Sequence, residues 1–324
     1  MARVAFIEKT GGPEVIQWRD VTLPPPGRGE VWMRNTAVGL NYIDTYHRGG
    51  VYPIDLPSGL GSEAAGVVMA VGEGVTDFAP GDRVGTFGPS RGAYATERNV
   101  PAKDLFHLPD SLDDRTAAAM LLKGCTAEFL VERCAKVQAG QTVLVHAAAG
   151  GVGHILVGWL KAIGATVIAS VGSEDKAERT RKAGADHVIL HKSEDIAARV
   201  REITDGKGVP IVLDGVGGAT WAASLDSAAR RGLIVSYGNA GGVVDGVNIG
   251  VLARKGSLFV TRPTLFDYYV TPDERKAGIA RLFAMIETGA VTPEIGQTFA
   301  LEDAVEAHRA IESGATSGST LLLP

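Results

Sequence analysis

The stretch from Gln141 to Gly172 constrains the fold of this chain more than any other part of the sequence. It opens with a short apolar run, 142–146, that predicts a buried strand. Small residues follow at 147–153, and then an almost wholly apolar segment predicts a helix that ends at Gly164. A second apolar run, 165–171, completes a strand–turn–helix–strand unit, which joins two parallel strands.

The turn in this unit predicts a site for the pyrophosphate of a dinucleotide. A pyrophosphate can lie on a helix N-terminus only where the backbone approaches closely and its N–H groups point at the anion. Gly150, Gly151, Val152 and Gly153 have the small side chains that this approach needs. The pattern A-x-x-G-G-x-G differs from a strict G-x-G-x-x-G, so the glycines alone are also compatible with a tight turn in another α/β protein. The flanking strands and helix favour the nucleotide site.

The end of the second strand predicts which dinucleotide is bound. NAD sites usually carry an acidic residue there, which holds the ribose 2′-hydroxyl. Here the strand runs into Ser173, and carboxylates appear only at Glu174 and Asp175, followed by Lys176. A hydroxyl and a lysine without an acid at the strand end suit a 2′-phosphate, so the predicted cofactor is NADPH rather than NADH. The alternatives are that Ser173 is only a helix N-cap and Lys176 only a solvated charge.

Composition limits the number of domains and the kinds of partner. A length of 324 residues predicts two domains, because single cores stop growing near ~250–300 residues. A net charge of −5 without a basic patch argues against nucleic acid or an anionic membrane as the main partner. The first residues lack the apolar core of a signal peptide, and no stretch predicts a membrane span. Cys125 and Cys134 form no metal or redox motif, so we expect a reducing, cytoplasmic location.

The first ~120 residues differ in pattern from the middle of the chain. Residues 61–84 are short valine-rich strands separated by glycine turns, which is typical of a compact, bent β-barrel. Further strands are predicted at 3–7, 30–37, 93–100 and 104–108, with a helix at 111–122 that begins at Ser111 as its N-cap. Beyond the glycine unit we predict strands at 187–190, 209–213, 233–237, 257–261 and 319–323, and helices at 175–183, 196–204, 273–288 and 301–313.

Several motifs together resemble one known family. They are Asn41-Tyr42-Ile43-Asp44, Tyr46, Leu56–Gly66, Gly81–Val84, His146–Gly153, Lys182–Ala185, Gly256–Leu258, Val260–Pro263 and Gly318–Leu322. With them the chain resembles the zinc-free medium-chain dehydrogenases/reductases, and within these the quinone oxidoreductase (zeta-crystallin-like) group, over essentially its whole length.

This resemblance implies an α/β fold of two domains. The first is a GroES-like β-barrel catalytic domain, residues 1–124 and 263–324. The second is a Rossmann NADP-binding domain with a doubly wound parallel sheet, residues 125–262. The active site is expected in the cleft between them. The family also implies a homodimer through the edge of the Rossmann sheet, where the strand 257–261 is the candidate edge.

One departure from the zinc-dependent relatives bears on the chemistry. Those enzymes place a cysteine near Asn41 and a histidine at the position of Ser62, whereas Gly61-Ser62-Glu63 keeps only the glutamate. A catalytic zinc needs about three protein ligands, usually His or Cys. We therefore predict no metal site, and a protein that positions a cofactor against an easily reduced acceptor.

The resemblance also assigns candidate site residues. Asn41, Tyr46 and Tyr52 match positions that line the cofactor and substrate cleft, and we expect them mainly to position the reactants. A tyrosine hydroxyl could also donate to a developing oxyanion, and half-buried packing is the alternative for both tyrosines. His191 stands where the family often has a tyrosine near the adenine-ribose phosphate, although a surface histidine is equally compatible. Asn239 follows a predicted strand at its C-terminal end and is expected to contact the nicotinamide.

The predicted function is therefore an NADPH-dependent quinone reductase that transfers hydride or electrons without a metal. An NADPH-dependent reductase of enone or alkenal double bonds uses the same fold and is the alternative enzyme. A non-catalytic NADPH-binding protein, structural or RNA-binding, is the alternative from another class, and the acidic charge balance makes RNA the less attractive partner.

Overall fold

The computed structural model describes all residues from Met1 to Pro324, and they divide into two compact units. The first unit comprises residues 1–123 and 293–324, and the second comprises residues 124–292. The first boundary lies one residue from the predicted one. The return to the first unit differs: it comes at residue 293, not at residue 263.

Segment 263–292 belongs to the second unit because its side chains pack there. The hydroxyl of Tyr269 donates to Glu128 at 2.8 Å, and Arg281 donates to Glu132 at 2.8 Å. The side chain of Leu282 covers Gly124 so closely that a Cβ there would lie 2.4 Å from it. The sequence pattern of the segment gives its helix but does not say which unit the helix packs against.

The first unit begins with strands and short helices. In chain order these are β1 (Ala2–Ile7), β2 (Gln17–Val21), β3 (Glu30–Leu40), α1 (Tyr42–Gly49), β4 (Ser58–Gly59), β5 (Glu63–Val71), β6 (Arg83–Phe87), β7 (Glu97–Pro101) and β8 (Leu105–His107). The helix α2 (Asp114–Glu128) then crosses the boundary between the units.

The start of α2 corrects the sequence prediction. The helix begins at Asp114 and not after Ser111. The carboxylate of Asp113 accepts hydrogen bonds from both the backbone N–H and the hydroxyl of Thr116, at 3.0 and 2.7 Å. A carboxylate accepts from the first turn as well as a serine hydroxyl does, so the acidic residue took the capping position.

The second unit alternates strands and helices. After a π-helical turn (Phe129–Cys134) come β9 (Thr142–His146), α3 (Gly151–Ala162), β10 (Thr166–Val171), α4 (Glu174–Lys182), β11 (His187–Leu190), α5 (Ile196–Ile203), β12 (Val209–Asp214), α6 (Trp221–Ser227), β13 (Ala228–Ser236), α7 (Gly250–Arg254), β14 (Phe259–Thr261), α8 (Leu265–Tyr268) and α9 (Pro272–Glu287). The chain then forms β15 (Ile295–Ala300), α10 (Ala304–Glu312) and β16 (Ser319–Leu323) of the first unit.

The six strands of the second unit form one parallel sheet in the order β11-β10-β9-β12-β13-β14. Chain order runs outward in both directions from the middle pair, β9 and β12, so the sheet is doubly wound as predicted. Its centre is a core of Leu144, Ile168, Ile189, Val212 and Ile234. Strands buried on both faces need apolar residues throughout, which explains the continuous apolar runs in the sequence.

The first unit is mainly antiparallel. Its larger sheet has the order β15-β16-β3-β5-β6-β8, with β7 also pairing with β3, and a smaller sheet has the order β2-β1-β4. The pairing of β3 with β5 shifts register twice, between Trp32 and Met33 and between Asn35 and Ala37. Such irregularities bend a sheet. Helix α1 begins directly after the end of β3 and places Asn41 at that junction.

Candidate active site

The glycine turn between β9 and α3 leaves the first backbone N–H groups of α3 without a side-chain acceptor. Gly150 is the N-cap of α3, offers no capping side chain, and is followed by a first turn without an acidic residue. The first N–H groups of a helix have no acceptor within the helix, so they remain available to an anion. Gly153 allows no side chain, because a Cβ there would lie 2.3 Å from the carbonyl oxygen of Ala147. Gly150, Gly151 and Val152 are half-buried around this turn.

A hydrogen-bond network joins the end of β9 to the loop after β12 and to α6, next to the point where the strand order reverses. Asp214 ends β12 and accepts the backbone N–H groups of Val216 at 2.8 Å and Gly217 at 3.0 Å. Its other oxygen accepts the hydroxyl of Ser224 at 2.6 Å, and that hydroxyl also lies 3.1 Å from Nε2 of His146. Because the Ser224 proton goes to Asp214, His146 donates through Nε2. Burial lowers the pKa of His146 and keeps the ring neutral.

Sequence reasoning did not assign a role to His146 or Ser224. The signal that could have found them is the position of His146, the last residue of β9 and immediately before the glycine turn. A histidine at the end of an otherwise apolar buried strand requires a polar partner. Asp214, in contrast, accepts from the backbone of its own turn, and the N-cap of the next helix, α6, is Thr220.

Basic side chains gather at the end of β10, where an NAD site would carry an acid. Ser173 is the N-cap of α4, and its hydroxyl accepts from the backbone N–H of Lys176 at 3.5 Å. The ring of His191 lies over Gly172, with Nε2 3.1 Å from where a Cβ of that glycine would be. Burial and the charge of Lys192 lower the pKa values of both Lys176 and His191. Lys192 is a neighbour that the sequence reasoning missed.

Asn239 lies in the loop that follows β13. The guanidinium of Arg262 donates to the carbonyl oxygens of Ser236 at 2.8 Å and Gly238 at 2.9 Å, and so fixes the start of this loop. A Cβ at Gly238 would meet the carbonyl oxygen of Gly215 at 2.2 Å, so this loop packs against the loop that follows β12. Asn239 is half-buried there, at the carboxyl end of the sheet.

In the first unit, Asn41 belongs to a buried polar cluster. Its side-chain nitrogen donates to Oε2 of Glu63 at 2.8 Å and to the carbonyl oxygen of Gly39 at 3.3 Å. The ammonium of Lys123 donates to the same Glu63 oxygen at 3.1 Å, and the other Glu63 oxygen accepts the backbone N–H of Leu122 at 2.6 Å. A carboxylate can only accept, so Glu63 fixes the orientation of the Asn41 amide.

Lys123 was not singled out from the sequence, although a signal was present. It is the only charged residue in the run 117–125 of helix α2, which is otherwise apolar apart from Gly124. A lysine in such a run is fully buried only when it is paired. Its side chain is 7% exposed and that of Glu63 is 0% exposed, so the pair is an interior one.

Asp44 serves as a structural acceptor and not as an exposed base. It occupies the third position of α1 and accepts the backbone N–H of Asn41 at 3.0 Å, in the capping box of that helix. The hydroxyls of Ser62 and Tyr94 also donate to it, at 2.8 and 3.2 Å. Burial outweighs these hydrogen bonds and raises the pKa of Asp44 to about 6.

A chain of polar groups continues from Tyr94 toward the surface. Its hydroxyl lies 3.0 Å from Nε2 of His308, and the guanidinium of Arg48 lies 3.1 Å from Nδ1 of the same ring. Arginine can only donate, so Nδ1 accepts and Nε2 carries the proton. Arg48 also pairs with Glu312 through two hydrogen bonds of 2.9 and 2.6 Å. Burial, and then the charge of Arg48, lower the pKa of His308 to about 3.

Tyr46 and Tyr52 lie against each other. Their ring centroids are 5.1 Å apart in an edge-to-face arrangement, and Tyr42 lies 5.4 Å from Tyr46 on the other side. Tyr46 is buried and Tyr52 is half-buried. This packing of ring against ring explains why the aromatic parts of these side chains are removed from solvent. His47 is half-buried, and burial lowers its pKa to about 4.

No group of three or more His, Cys, Asp or Glu side chains is arranged so that it could hold a metal ion. Ser62, at the position where zinc relatives carry a histidine, donates to Asp44 instead. No helix is long and apolar enough to cross a membrane.

Two family models match the chain in separate regions. The alcohol dehydrogenase GroES-like domain matches residues 27–110, and the zinc-binding dehydrogenase model matches residues 151–273. A quinone oxidoreductase of Pseudomonas aeruginosa is 50% identical over the full length of both chains. The chain belongs to the quinone oxidoreductase group of the medium-chain dehydrogenases/reductases.

Solved structures of this family superpose on the chain closely. The Escherichia coli quinone oxidoreductase complexed with NADPH is 45% identical, covers 99% of this chain and 100% of its own, and has a TM-score of 0.97. A 2-haloacrylate reductase of Burkholderia is also similar, at 45% identity over 100% of this chain and 99% of its own length. The GroES-like and Rossmann domains implied by the resemblance are thus confirmed.

Proposed function

We propose that this protein reduces quinones with NADPH. The main support for NADPH as the cofactor comes from the end of β10. Lys176, His191 and Lys192 lie there, and no carboxylate takes the position that would hold a ribose 2′-hydroxyl. The names of the full-length relatives, quinone oxidoreductases at 46–50% identity, support the acceptor. NADPH supplies a hydride equivalent at its nicotinamide ring when it is bound.

In the second unit the cofactor would lie along the carboxyl ends of β10, β9 and β13. The turn at Gly150, Gly151, Val152 and Gly153 would hold the pyrophosphate through backbone N–H groups and the dipole of α3. Ser173, Lys176 and His191 would bind the 2′-phosphate of the cofactor, and Asn239 would contact the nicotinamide. The buried network of His146 would hold the glycine turn against the loop after β12.

In the first unit Asn41, Tyr46 and Tyr52 would position the reactants. The amide nitrogen of Asn41 is committed to Glu63 and Gly39. Its oxygen accepts from the N–H of Asp44 in the capping box of α1 and has a second lone pair for another donor. An acceptor suits the N–H of the nicotinamide carboxamide and not a quinone carbonyl. The hydroxyls of Tyr46 and Tyr52 are the donors that suit a quinone oxygen as charge develops on it.

A second candidate acceptor is the double bond of an α,β-unsaturated carbonyl compound or acid. The observation that favours it is the similar 2-haloacrylate reductase, whose name specifies an unsaturated carboxylate. Reduction of a carbon–carbon double bond also needs a proton at the neighbouring carbon, and a tyrosine hydroxyl could deliver it.

The proposal includes a homodimer in the cytoplasm. Phe259 and Val260 lie on the edge strand β14 and are 59% and 37% exposed, which is unusual for apolar residues on an unpaired edge. Pairing of this edge with that of a second copy would cover both. Cys125 and Cys134 form no disulfide, which suits a reducing compartment.

The experiment that tests the function compares two acceptors and two cofactors. Oxidation of NADPH and of NADH is followed by absorbance with a simple para-quinone and with a simple enone. Turnover of the quinone with NADPH in preference to NADH is the expected result. Turnover of the enone alone would make the protein a double-bond reductase, and tight NADPH binding without either reaction would favour a non-catalytic binding protein.

A further inference from the structure

The site for the 2′-phosphate contains one group that can change its charge near neutral pH. Lys176 lies in the first turn of α4, while His191 and Lys192 follow β11, and the pairing of β10 with β11 brings the two segments together. The imidazole Nε2 lies 3.1 Å, and Cε of Lys192 3.5 Å, from the position that a Cβ of Gly172 would take. Both side chains therefore cover the same glycine.

The carboxylates near this cluster pair with arginines, although Asp175 also raises the pKa of Lys176. Glu174 pairs with Arg181 at 2.8 Å and Asp175 pairs with Arg179 at 3.1 Å. Glu194 pairs with Arg199 at 3.1 Å and accepts the backbone N–H of Leu190 at 2.7 Å.

The charged groups that act on the His191 ring are thus mainly cationic. Lys192, on its own segment, and Lys176, on α4, both lower its pKa, after burial as the largest cause. The ring is also coupled to His146 at the end of β9, which is neutral. Without an anion, these surroundings keep His191 unprotonated at neutral pH.

We propose that His191 takes up a proton from solvent when the 2′-phosphate of NADPH binds beside Lys176 and Lys192, so that the preference for NADPH over NADH grows as the pH falls toward 6. This inference rests on the proposed cofactor. An opposite charge within ~4–6 Å shifts a titrating group by roughly 1–3 units in favour of its charged form. His191 then selects the phosphate by charge, and Lys192 is a further residue that determines cofactor specificity.

The sign of the effect follows from linkage. The phosphate raises the affinity of the ring for a proton, so the complex binds more protons than the free protein, and affinity falls as the pH rises through the pKa of the complex. The phosphate itself loses its second charge below about pH 6, which opposes the trend there. Because the phosphate titrates around pH 6, the comparison with His191→Gln, which keeps that titration, isolates the contribution of the histidine.

The test measures dissociation constants of NADPH and NADH by calorimetry between pH 6.0 and 8.5. We expect the ratio of the NADH to the NADPH constant to fall severalfold over this range, since a shift of one unit changes this ratio by at most about tenfold. In His191→Gln the ratio should not fall as the pH rises, and in Lys192→Gln it should be lower at every pH. Lys182→Gln, which removes an exposed lysine at the far end of α4, is the matched control and should behave as wild type.

A second measurement detects the proton directly. Binding enthalpies in two buffers of different ionisation enthalpy should reveal proton uptake at pH 7 with NADPH, and none with NADH or with His191→Gln. A ratio that favours NADPH but does not change with pH, or changes equally in His191→Gln, would overturn the inference alone. Equal affinities for the two cofactors at every pH would overturn the proposed cofactor as well.

Discussion

Replacing Lys123 by Met should destabilise the first unit by about 3 kcal/mol. The ammonium lies 3.1 Å from the Glu63 carboxylate, and at an effective dielectric constant of about 20 their attraction is roughly 5 kcal/mol before desolvation is subtracted. Breaking a buried pair by removing one partner costs about 3–5 kcal/mol. Glu63 keeps its hydrogen bonds from Leu122 and Asn41, so we expect the lower end of that range. Urea denaturation followed by tryptophan fluorescence measures the change.

The double variant Lys123→Met/Glu63→Gln separates stability from function. A glutamine can accept from Leu122 with its oxygen, but its amide nitrogen then faces Asn41, which must turn its own amide over. We expect the unfolding free energy to return to within about 1 kcal/mol of wild type, because the unpaired charge is gone. The value of kcat/KM should stay about tenfold lower, because the atom that Asn41 presents has changed and a misplaced hydrogen bond costs about 1.5 kcal/mol.

Lys9→Met, which removes an exposed lysine of the same unit, is the control and should change neither quantity. A loss below about 1 kcal/mol in Lys123→Met would refute the argument from the buried pair. Full activity in the double variant would refute the claim that the orientation of Asn41 matters.

Three further predictions concern the cofactor site and the buried histidine. Lys176→Ala should weaken NADPH binding by about 1.5–3 kcal/mol and leave NADH nearly unaffected, and equal losses in a binding titration would remove it from the phosphate site. Gly153→Val should abolish binding of both cofactors, because its Cβ would lie 2.3 Å from the carbonyl oxygen of Ala147; unchanged affinity would contradict the anion site. His308 has a pKa of about 3 in the folded chain, so its contribution is present above pH 6.5 and is lost as the pH falls toward 3. Between pH 6.5 and 4 wild type should therefore lose about 3 kcal/mol that His308→Gln does not lose, which urea midpoints at several pH values would reveal.

The sequence alone determined the second unit in some detail. Strand β9 and strand β11 were predicted with the bounds that the structure has, and the glycine turn was placed correctly between β9 and α3. These predictions succeeded because a parallel sheet is buried on both faces, so its strands are continuous apolar runs that local pattern reveals. The proposed pyrophosphate site likewise rests on neighbours in the chain, a helix N-terminus and small residues.

What only the tertiary structure decided are contacts between residues far apart in sequence. The pairing of Glu63 with Lys123 and of Tyr94 with His308 joins residues 60 and 214 positions apart, and no local period records such partners. The segment that follows residue 262 was assigned to the first unit, whereas residues up to 292 pack in the second. An amphipathic helix specifies an apolar face but not the surface that covers it. The sequence shows which residues are buried and which buried polar groups need a hydrogen-bond partner, because this depends on the local pattern. Only the folded chain shows which partner each group has, because the partners lie far apart in sequence.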